Sequence, residues 1–549
     1  MLGGSAAMAV SHLSGALNNP GAEKRPNVLL IITDDQGYGD LGVHGNDKIK
    51  TPNLDQLAGK SVEFTHFFVS PVCAPTRASL MTGRYHYRTG VVDTYMGRAM
   101  MYPDEVTIAE ILGRAGYQTG IFGKWHLGDN YPMRPIDQGF QEALVHKGGG
   151  IGQPSDPPGN MYHDPILQYN GRARKYRGYC TDIFTEATIR FIERNRYRAF
   201  FAYLSTNAPH TPLQIDDSYV KPYLNMGLDE TTAKVYGMIA NIDENIGRLF
   251  DALKELKVEE NTIVIFLTDN GPQQPRYTSG LRGRKGSVYE GGIRVPCFIR
   301  WPSRLKAGVK IDHIAAHIDL LPTLLEACGI STPAGLLFDG RSLIPLMRKD
   351  GTAWPDRTLY FQWHRGDEPE AYRDCAARGQ RFKLINGKEL YDMIADPGEQ
   401  NDISQQHPEI VAEMRRGYEV WFRDVSGTRG YAPPRIHIGS SHENPVILTR
   451  QDWRGPRAGW EKDSLGYWEI DVTRAGRYNI TLRIWPTEVE SVAHFKMGDL
   501  ILSQQLQKGA SSCAFKSVRL KAGKGRLEAW IQSNEKSVGV QYVDVKHLR

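Results

Sequence analysis

The sequence is poor in cysteine, nearly balanced in charge and free of long apolar runs. Six cysteines in 549 residues are too few for a disulfide scaffold. Lys and Arg number 67 against 62 Asp and Glu, and the formal net charge of +5 gives no support for a nucleic-acid partner or a polybasic membrane anchor. No stretch approaches the roughly 20 apolar residues of a spanning helix, so we predict no transmembrane segment. The class left by these absences is a large globular protein, with an enzyme as the default expectation.

The first 25 residues are rich in Gly, Ala and Ser and carry no charged side chain before Glu23. Ala7-Met8-Ala9 resembles the small-residue cleavage site of a secretory signal, but a basic start and most of an apolar core are missing. Two interpretations stay open: a signal that starts upstream of Met1, and a disordered leader. In both cases residues 1–25 are excluded from the predicted fold.

Continuous apolar runs recur through the first 300 residues, as in parallel strands buried on both faces. They lie at 27–33, 118–122, 199–205, 262–268 and 295–301. Periodic apolar positions predict five intervening helices. Two begin at Pro52 and near Val106, and the other three span 183–195, 232–256 and 320–328. This alternation predicts an α/β fold with one large, mostly parallel, doubly wound sheet flanked by helices.

The pattern changes after about Trp354. Short strands at 359–363, 381–385 and 389–392, followed by a helix at 408–423, predict a small antiparallel sheet with one covering helix. From about Pro434 only period-two alternation remains, which predicts a β-sandwich. We therefore divide the chain into a leader (1–25), an α/β catalytic domain (26–353), a small α+β subdomain (354–433) and a β-sandwich module (434–549).

Polar side chains follow several of the predicted parallel strands, where ligands bind in open α/β sheets. Asp34-Asp35 follows the first strand and Asp269-Asn270 follows the strand at 262–268. A single Asp-Asp pair is more often a solvated turn, but two such sets that each close an apolar strand favour a metal site. Carboxylate and amide oxygens suit a hard cation such as Ca²⁺ or Mg²⁺.

Cys73 stands apart from the other cysteines. It precedes Pro75, where a helix is expected to begin, and Arg77 follows about one turn later. A helix N-terminus and a guanidinium group both favour an anion at that point. The remaining cysteines are interpreted as buried small hydrophobic residues.

The segment Cys73-x-Pro75-x-Arg77 resembles the signature of the type I (formylglycine-dependent) sulfatases of the alkaline-phosphatase superfamily. Further motifs occur in the family's order over about residues 26–401, with no departure at the catalytic positions. They are Asp34-Asp35, Gly123-Lys124-Trp125-His126, Pro209-His210, Thr268-Asp269-Asn270-Gly271 and Lys285-Gly286. The β-rich tail is not explained by this resemblance.

The resemblance implies that Cys73 is converted to formylglycine (3-oxoalanine) by a formylglycine-generating maturation enzyme, and that Ca²⁺, in preference to Mg²⁺, is the cofactor. The implied metal ligands are Asp34, Asp35, Asp269, Asn270 and the modified Cys73. The implied catalytic roles are stabilisation of the hydrate by Arg77, sulfate binding by Lys124 and Lys285, protonation of the leaving alcohol by His210, and sulfate release assisted by the base His126. These residue types suit a sulfate ester, whose negative oxygens require a cationic cradle.

The predicted function is hydrolysis of an O-sulfated carbohydrate, exo-acting on a host or algal glycan, by a periplasmic or secreted bacterial sulfatase similar to carbohydrate and aryl sulfatases. The predicted substrate-binding residues are Asp93, His163, Trp363, His364 and Arg365. Two alternatives remain: a phosphonate or phosphate monoester hydrolase of the same superfamily, and an inactive glycan-binding protein. Trp453, Trp460 and Trp485 in the tail serve either core packing or glycan stacking.

Overall fold

The computed structural model describes residues 25–348, 354–534 and 536–548. The predicted leader lies outside the described residues, Arg25 excepted. The strands of the first part are β1 (Asn27–Thr33), β2 (Val62–Phe64), β3 (Phe67–Phe68), β4 (Gln118–Lys124), β5 (Glu142–His146), β6 (Ile166–Tyr169), β7 (Arg172–Lys175), β8 (Phe200–Ser205), β9 (Thr262–Thr268), β10 (Arg294–Val295), β11 (Cys297–Arg300), β12 (Val309–Ile311) and β13 (Ala315–Ala316). Its helices are α1 (Pro52–Gly59), α2 (Cys73–Thr82), α3 (Ile108–Arg114), α4 (Cys180–Asn195), α5 (Asp217–Leu224), α6 (Glu230–Glu255), α7 (Glu290–Ile293), α8 (Leu320–Ala327) and α9 (Ile344–Arg348).

Ten strands form the central sheet in the order β12-β2-β11-β9-β1-β8-β4-β5-β6-β7. The five middle strands, β9 to β5, run parallel. Alternate residues of β1 enter two different apolar cores, Leu30 on one face and Leu29 on the other. A strand buried on both faces explains the continuous apolar run at 27–33. The predicted α/β class with a large, mostly parallel sheet is confirmed.

One predicted strand is divided. Residues 295–301 form the end of β10 and the whole of β11, which meet at Pro296. Proline has no N–H to continue a ladder, so the chain changes partners there. β10 pairs with β3 in a separate three-stranded sheet, whereas β11 runs antiparallel to β9 in the central sheet.

The next part of the chain is a four-stranded antiparallel sheet with one long helix. Its elements are β14 (Leu359–Gln362), β15 (Cys375–Arg378), β16 (Phe382–Ile385), β17 (Glu389–Asp392) and α10 (Pro408–Ser426). The sequence did not predict β15, because its Ala376-Ala377 centre has little β propensity. Lys383 is fully buried in this sheet and pairs with Glu290 of the α/β part at 3.2 Å and with Glu399 at 2.7 Å.

The remaining elements are all strands. They are β18 (Ile436–Ile438), β19 (Val446–Thr449), β20 (Tyr467–Val472), β21 (Gly476–Arg483), β22 (Ser491–Met497), β23 (Leu500–Leu506), β24 (Ser512–Leu520), β25 (Gly523–Ser533), β26 (Lys536–Gly539) and β27 (Tyr542–His547). They form a six-stranded and a four-stranded sheet around one apolar core that contains Trp453 and Trp468. That core also takes in Met100 and Met133 of the α/β part, so the two parts share a packed boundary. Among the helices of the described ranges, none combines the length and the apolar content that crossing a bilayer requires.

Candidate active site

The parallel strands end together at one edge of the central sheet, and polar residues stand at their ends. β1 leads into Asp34 and Asp35, β4 ends in Lys124, and β9 leads into Asp269 and Asn270. All five side chains are at most 1% exposed. Because a buried charge is tolerated only where it is paired or bound to an ion, this edge has to hold a compensated charge cluster.

Three basic side chains compensate the three carboxylates, each at hydrogen-bond distance. Arg77 makes two contacts with one carboxylate oxygen, through Nη2 and through Nε at 3.2 Å. The ion pairs are Lys124 Nζ–Asp34 Oδ2 at 2.6 Å, Lys285 Nζ–Asp35 Oδ1 at 2.6 Å and Arg77 Nη2–Asp269 Oδ2 at 2.7 Å. We call these six side chains the charged floor.

Several buried oxygens of this edge have no hydrogen-bond partner. They are Asp34 Oδ1, Asp35 Oδ2 and Asn270 Oδ1. The nearest ligand atoms of Asp34, Cys73 and Asp269 lie within 4.8 Å of one another, as do those of Asp34, Asp35 and His210. Unsatisfied buried oxygens are costly unless an ion binds them, and an oxygen-rich set of this kind fits a hard divalent cation. The structure thus brings together all five residues that the sequence predicted as metal ligands.

The titration of the carboxylates supports the same fit. Burial raises the pKa of Asp269 to about 6, and the negative charge of Asp34 acts in the same direction against the nearby cations. Burial also acts to raise the pKa of Asp35, but neighbouring Lys and His charges outweigh it and bring that pKa below its usual range. The charged form of Asp269 is therefore disfavoured by its buried setting, which a bound cation would relieve, whereas Asp35 is already held in its charged form by its basic neighbours.

Cys73 is the first residue of α2, a helix that is buried along its whole length. Its side chain is a free thiol, 2% exposed. Burial raises the pKa of this thiol, and the charges of Lys124 and Lys285 only partly oppose the effect. Since the thiolate is the nucleophilic form, an unmodified Cys73 would be a poor nucleophile at neutral pH.

Two histidines, each fixed by a backbone carbonyl, line the cavity above Cys73. His126 Nε2 donates to Thr94 O at 2.7 Å, which leaves Nδ1 buried without a partner. His210 Nδ1 donates to Thr211 O at 2.7 Å, and its Nε2 lies 3.9 Å from Asp35 Oδ2. Burial lowers the pKa of His126 well below its usual range and that of His210 to about 3. Both rings are therefore neutral, each with one free nitrogen lone pair.

The glycine run at 148–150 packs directly against these rings. A Cβ on Gly149 would lie 2.6 Å from His126 Cε1, and one on Gly150 would lie 2.9 Å from His210 Cε1. A side chain at either position would displace a histidine. The sequence showed this run, but without the fold it gave no indication that the run contacts the two histidines.

A cavity of about 580 Å³ opens above Cys73. Its lining combines the basic and histidine side chains of Lys285, His126 and His210 with the aromatic side chains of Tyr95, Trp363 and Trp460. The lining residues are Val72, Cys73, Thr94, Tyr95, His126, Gly149, Gln153, His210, Thr211, Gln273, Lys285, Gly286, Trp363, Arg365 and Trp460. Gln273 was not predicted, Tyr95 and Gln153 were not singled out, and Trp460 was named only as a tryptophan for core packing or glycan stacking, since these residues come from loops far apart in sequence that only the tertiary fold brings together.

Three of the predicted substrate-binding residues form one group. Asp93 Oδ1 accepts from Trp363 Nε1 at 3.1 Å and from Arg365 Nη1 at 2.7 Å. Trp363 and Arg365 line the cavity, whereas Asp93 is fully buried behind them and orients both side chains.

The other two predicted residues, His163 and His364, do not line this cavity. His163 packs on the ring of Tyr179 with centroids 5.0 Å apart. His364 is buried, donates through Nδ1 to Arg365 O at 3.0 Å and accepts at Nε2 from the Glu370 backbone N–H at 2.9 Å. Both of its ring nitrogens are thus occupied by its own loop.

Comparison with known proteins gives consistent matches. The sulfatase family model matches residues 26–330, and the model for the C-terminal region of N-sulphoglucosamine sulphohydrolase matches residues 284–419. N-acetylgalactosamine-6-sulfatase of Canis lupus familiaris is 31% identical over 387 residues, which cover 64% of this chain and 71% of that protein. Arylsulfatase A of Homo sapiens is 30% identical over 454 residues, which cover 74% and 85%.

Solved structures agree with these matches. The crystal structure of Ps i-CgsB in complex with k-i-k-neocarrahexaose has a TM-score of 0.68 and 30% identity, and the match covers 74% of this chain and 95% of that chain. A structure solved with its substrate D-glucosamine-2-N,6-O-disulfate has a TM-score of 0.63 at 22% identity, over 74% of this chain and 99% of that chain. The second likeness concerns the fold alone.

Proposed function

Because this chain belongs to the sulfatase family and is a sulfuric ester hydrolase, we propose that it releases sulfate from an O-sulfated carbohydrate. One observation carries the proposal: Cys73 and Lys285 line the same cavity as the aromatic side chains of Tyr95, Trp363 and Trp460. The charge of Lys285 suits a sulfate group, and aromatic side chains suit the apolar faces of sugar rings. Ps i-CgsB, which is 30% identical, was solved with an oligosaccharide, and this supports a saccharide substrate.

We propose further that residue 73 acts as formylglycine, produced by a separate maturation enzyme, and that the metal ion is Ca²⁺. When present, a formylglycine hydrate supplies a hydroxyl nucleophile and a second hydroxyl that expels sulfate, and Ca²⁺ supplies positive charge next to a sulfate oxygen. The raised pKa of the buried thiol supports a modified residue over a cysteine nucleophile. Asp34, Asp35 and Asn270 would hold the ion through oxygens that otherwise lack partners. Asp269, whose oxygens accept from the Asp35 N–H and from Arg77, would complete the ligand set.

The basic residues of the floor would orient the sulfate group. Lys285 lines the cavity, Lys124 is fully buried and paired with Asp34, and the positive charges of both lysines act on Cys73. Arg77 holds Asp269 by two N–H groups and also donates to the Lys124 backbone carbonyl at 3.1 Å. Because these groups are fixed before substrate arrives, little reorganisation is needed during the reaction.

The two histidines would move protons at defined atoms. His210 presents the free lone pair of Nε2 to the cavity, so it would have to take up a proton at that atom before it could protonate the leaving alcohol, and His126 offers Nδ1 as a proton acceptor. In each ring the other nitrogen is committed to a carbonyl, which fixes the orientation. A periplasmic or secreted location in a bacterium completes the proposal, and its support is the signal-like Ala7-Met8-Ala9 segment of the sequence.

The test combines chemical analysis of residue 73 with kinetics. Protein produced in a host with the maturation enzyme is digested, and the mass of the peptide that contains residue 73 is measured by mass spectrometry. We expect a residue that has lost sulfur and two hydrogens and gained oxygen. The same sample should release sulfate from an aryl sulfate and from sulfated oligosaccharides, with a much lower kcat/KM on the matched aryl phosphate, and C73A should be inactive. Full activity with an unmodified Cys73 would overturn the proposed nucleophile.

A further inference from the structure

The β-sandwich module reaches the catalytic cavity through one loop. Residues 450–466 connect β19 to β20, and Trp460 of this loop lines the same cavity as Cys73 and Lys285. The Trp460 side chain is left 37% exposed, in contrast to Trp453 and Trp468, which are fully buried in the core of the module. Core packing therefore accounts for those two tryptophans and does not account for Trp460.

Trp460 belongs to a continuous wall of four side chains. Its ring meets the ring of Tyr95 edge-on, with centroids 5.5 Å apart and planes at 76°. The guanidinium group of Arg365 lies 4.4 Å from the Tyr95 ring centroid and 5.0 Å from that of Trp363. We call Tyr95, Trp363, Arg365 and Trp460 the stacking wall; all four residues line the cavity.

The module is joined to the cavity loop by direct hydrogen bonds. Gln451 accepts from the Gly97 backbone N–H at 2.9 Å, and its Nε2 donates to Thr94 O at 3.1 Å. Gly97 has φ +67°, and a Cβ there would lie 2.9 Å from Asp452 O. Only glycine permits so close an approach in that conformation. The loop that carries Tyr95 and the loop that carries Trp460 are thus fixed against each other, and the wall is preorganised.

We propose that the β-sandwich module supplies a saccharide subsite of this enzyme, in which Trp460 stacks on the ring that adjoins the sulfated ring. The inference rests on the proposed carbohydrate substrate. A substrate whose sulfate lies on the charged floor directs the rest of its chain toward the open side of the cavity, where Trp460 is exposed. A pyranose presents a C–H face that packs on an indole ring.

The wall also indicates the charge of the ligand. Arg365 is held by Asp93 through one N–H, yet its side chain remains 51% exposed at the cavity. Its free guanidinium edge is suited to a carboxylate or to a second sulfate. The expected ligand is therefore an anionic oligosaccharide of two or more rings, whereas an aryl sulfate has no second sugar ring to stack on Trp460.

The experiment compares full-length wild type, W460A and W460F on an aryl sulfate and on sulfated oligosaccharides. We expect W460A to raise KM on an oligosaccharide by about tenfold, as loss of one anchoring aromatic contact predicts. W460F should retain part of the affinity, and W460A should lower kcat/KM on the aryl sulfate much less than kcat/KM on the oligosaccharide. The matched control is W530A, which alters a partly buried tryptophan of the same module that does not line the cavity.

The outcomes separate the two levels of the argument. If W460A matches wild type on an oligosaccharide that wild type desulfates, the subsite is wrong and the proposed function stands. If W460A loses activity equally on the aryl sulfate, Trp460 supports the fold and does not bind sugar. If wild type turns over the aryl sulfate and none of the oligosaccharides, the proposed substrate class is overturned, and the subsite with it.

Discussion

Two regions around the same cavity are built on different physical principles. The charged floor consists of three ion pairs at strand ends, with each carboxylate 2.6 or 2.7 Å from its cation. The boundary between the core and the β-sandwich module, which we call the module seam, combines buried apolar contacts of Met100 and Met133 with a partly exposed ring pair and with hydrogen bonds to backbone carbonyls. Asp156, at this seam, is held by N–H groups alone.

The difference teaches how the work of substrate recognition is divided. A buried ion pair is costly to break, because the partner left behind has neither water nor a counter-charge. The floor therefore fixes one chemistry, the binding of a compact anion next to a cation. Seam contacts at the cavity, such as that between Trp460 and Tyr95, are partly exposed and individually weak, so they can differ without loss of the fold. We infer that the floor determines the reaction and the seam determines which leaving groups are accepted.

Breaking the floor has the largest expected effect. Replacing Arg77 by Ala leaves Asp269 fully buried without its bidentate partner, and we expect a loss of stability of about 3–5 kcal/mol. Activity on both an aryl sulfate and a sulfated oligosaccharide should fall by a factor on the order of a thousand, since the charge arrangement around residue 73 is lost. Urea denaturation and kcat/KM measure the two quantities.

The control for this variant is R190A, which breaks the exposed pair of Arg190 with Glu186. Such a surface pair contributes at most about 1 kcal/mol, so R190A should unfold almost as wild type does. If R77A and R190A had similar stabilities, the contrast between the buried floor and the solvated surface would be refuted.

Removal of divalent cations should act on the floor and leave the seam unaffected. We expect a chelator to abolish activity on every substrate and to lower the thermal midpoint, and added Ca²⁺ to restore both. An ion present at a hundred times its Kd stabilises the folded protein by about 2.7 kcal/mol. The midpoint is measured against Ca²⁺ concentration by calorimetry.

Two variants sharpen this measurement. W460A, altered at the seam, should keep the full dependence of the midpoint on Ca²⁺, whereas D34N should lose most of it, because Asp34 belongs to both candidate ligand groups. If the thermal midpoint of the wild type did not change on addition of the chelator, the proposal that the charged floor binds a metal ion would be refuted.

The sequence was sufficient to predict that the strand-end residues of the charged floor come together, but not to predict how the loops of the cavity wall meet. Asp34, Lys124 and Asp269 stand at the ends of apolar strands, and parallel strands end at a common edge, so local pattern alone brings them together. Tyr95, Trp363 and Trp460 come from three loops whose meeting depends on how the small subdomain and the module pack on the core. No periodicity in the chain encodes that packing.

The direction in which each side chain of a loop points was the other feature that the sequence did not predict. His364 and Arg365 are adjacent in a loop, and both were predicted to bind substrate. Only Arg365 lines the cavity, because His364 turns back to accept the Glu370 N–H. Residue type identified the loop, but a loop gives no alternation rule from which the inward-facing member could be chosen.

The smallest predicted effect concerns the seam and its pH dependence. Burial raises the pKa of Asp156 to about 7, and Tyr542 of the module donates to its backbone carbonyl at 3.1 Å. The unfolded carboxyl has a pKa of about 3.9 and is ionised above pH 6, whereas the folded one still binds a proton there. Stability should therefore fall as pH rises through 7, by about 1.4 kcal/mol between pH 6 and pH 8 from this group.

Replacing Asp156 by Asn removes the titrating group, so the difference in unfolding free energy between D156N and wild type should change by that amount over the same interval. Urea titrations at pH 6 and pH 8 measure it, and D463N, at an exposed carboxylate of the module, serves as control. Activity on an aryl sulfate should be unchanged, because Asp156 does not line the catalytic cavity. An unchanged pH slope in D156N would mean that the seam tolerates a buried charge as the floor does, and the physical distinction between the two regions would then be lost.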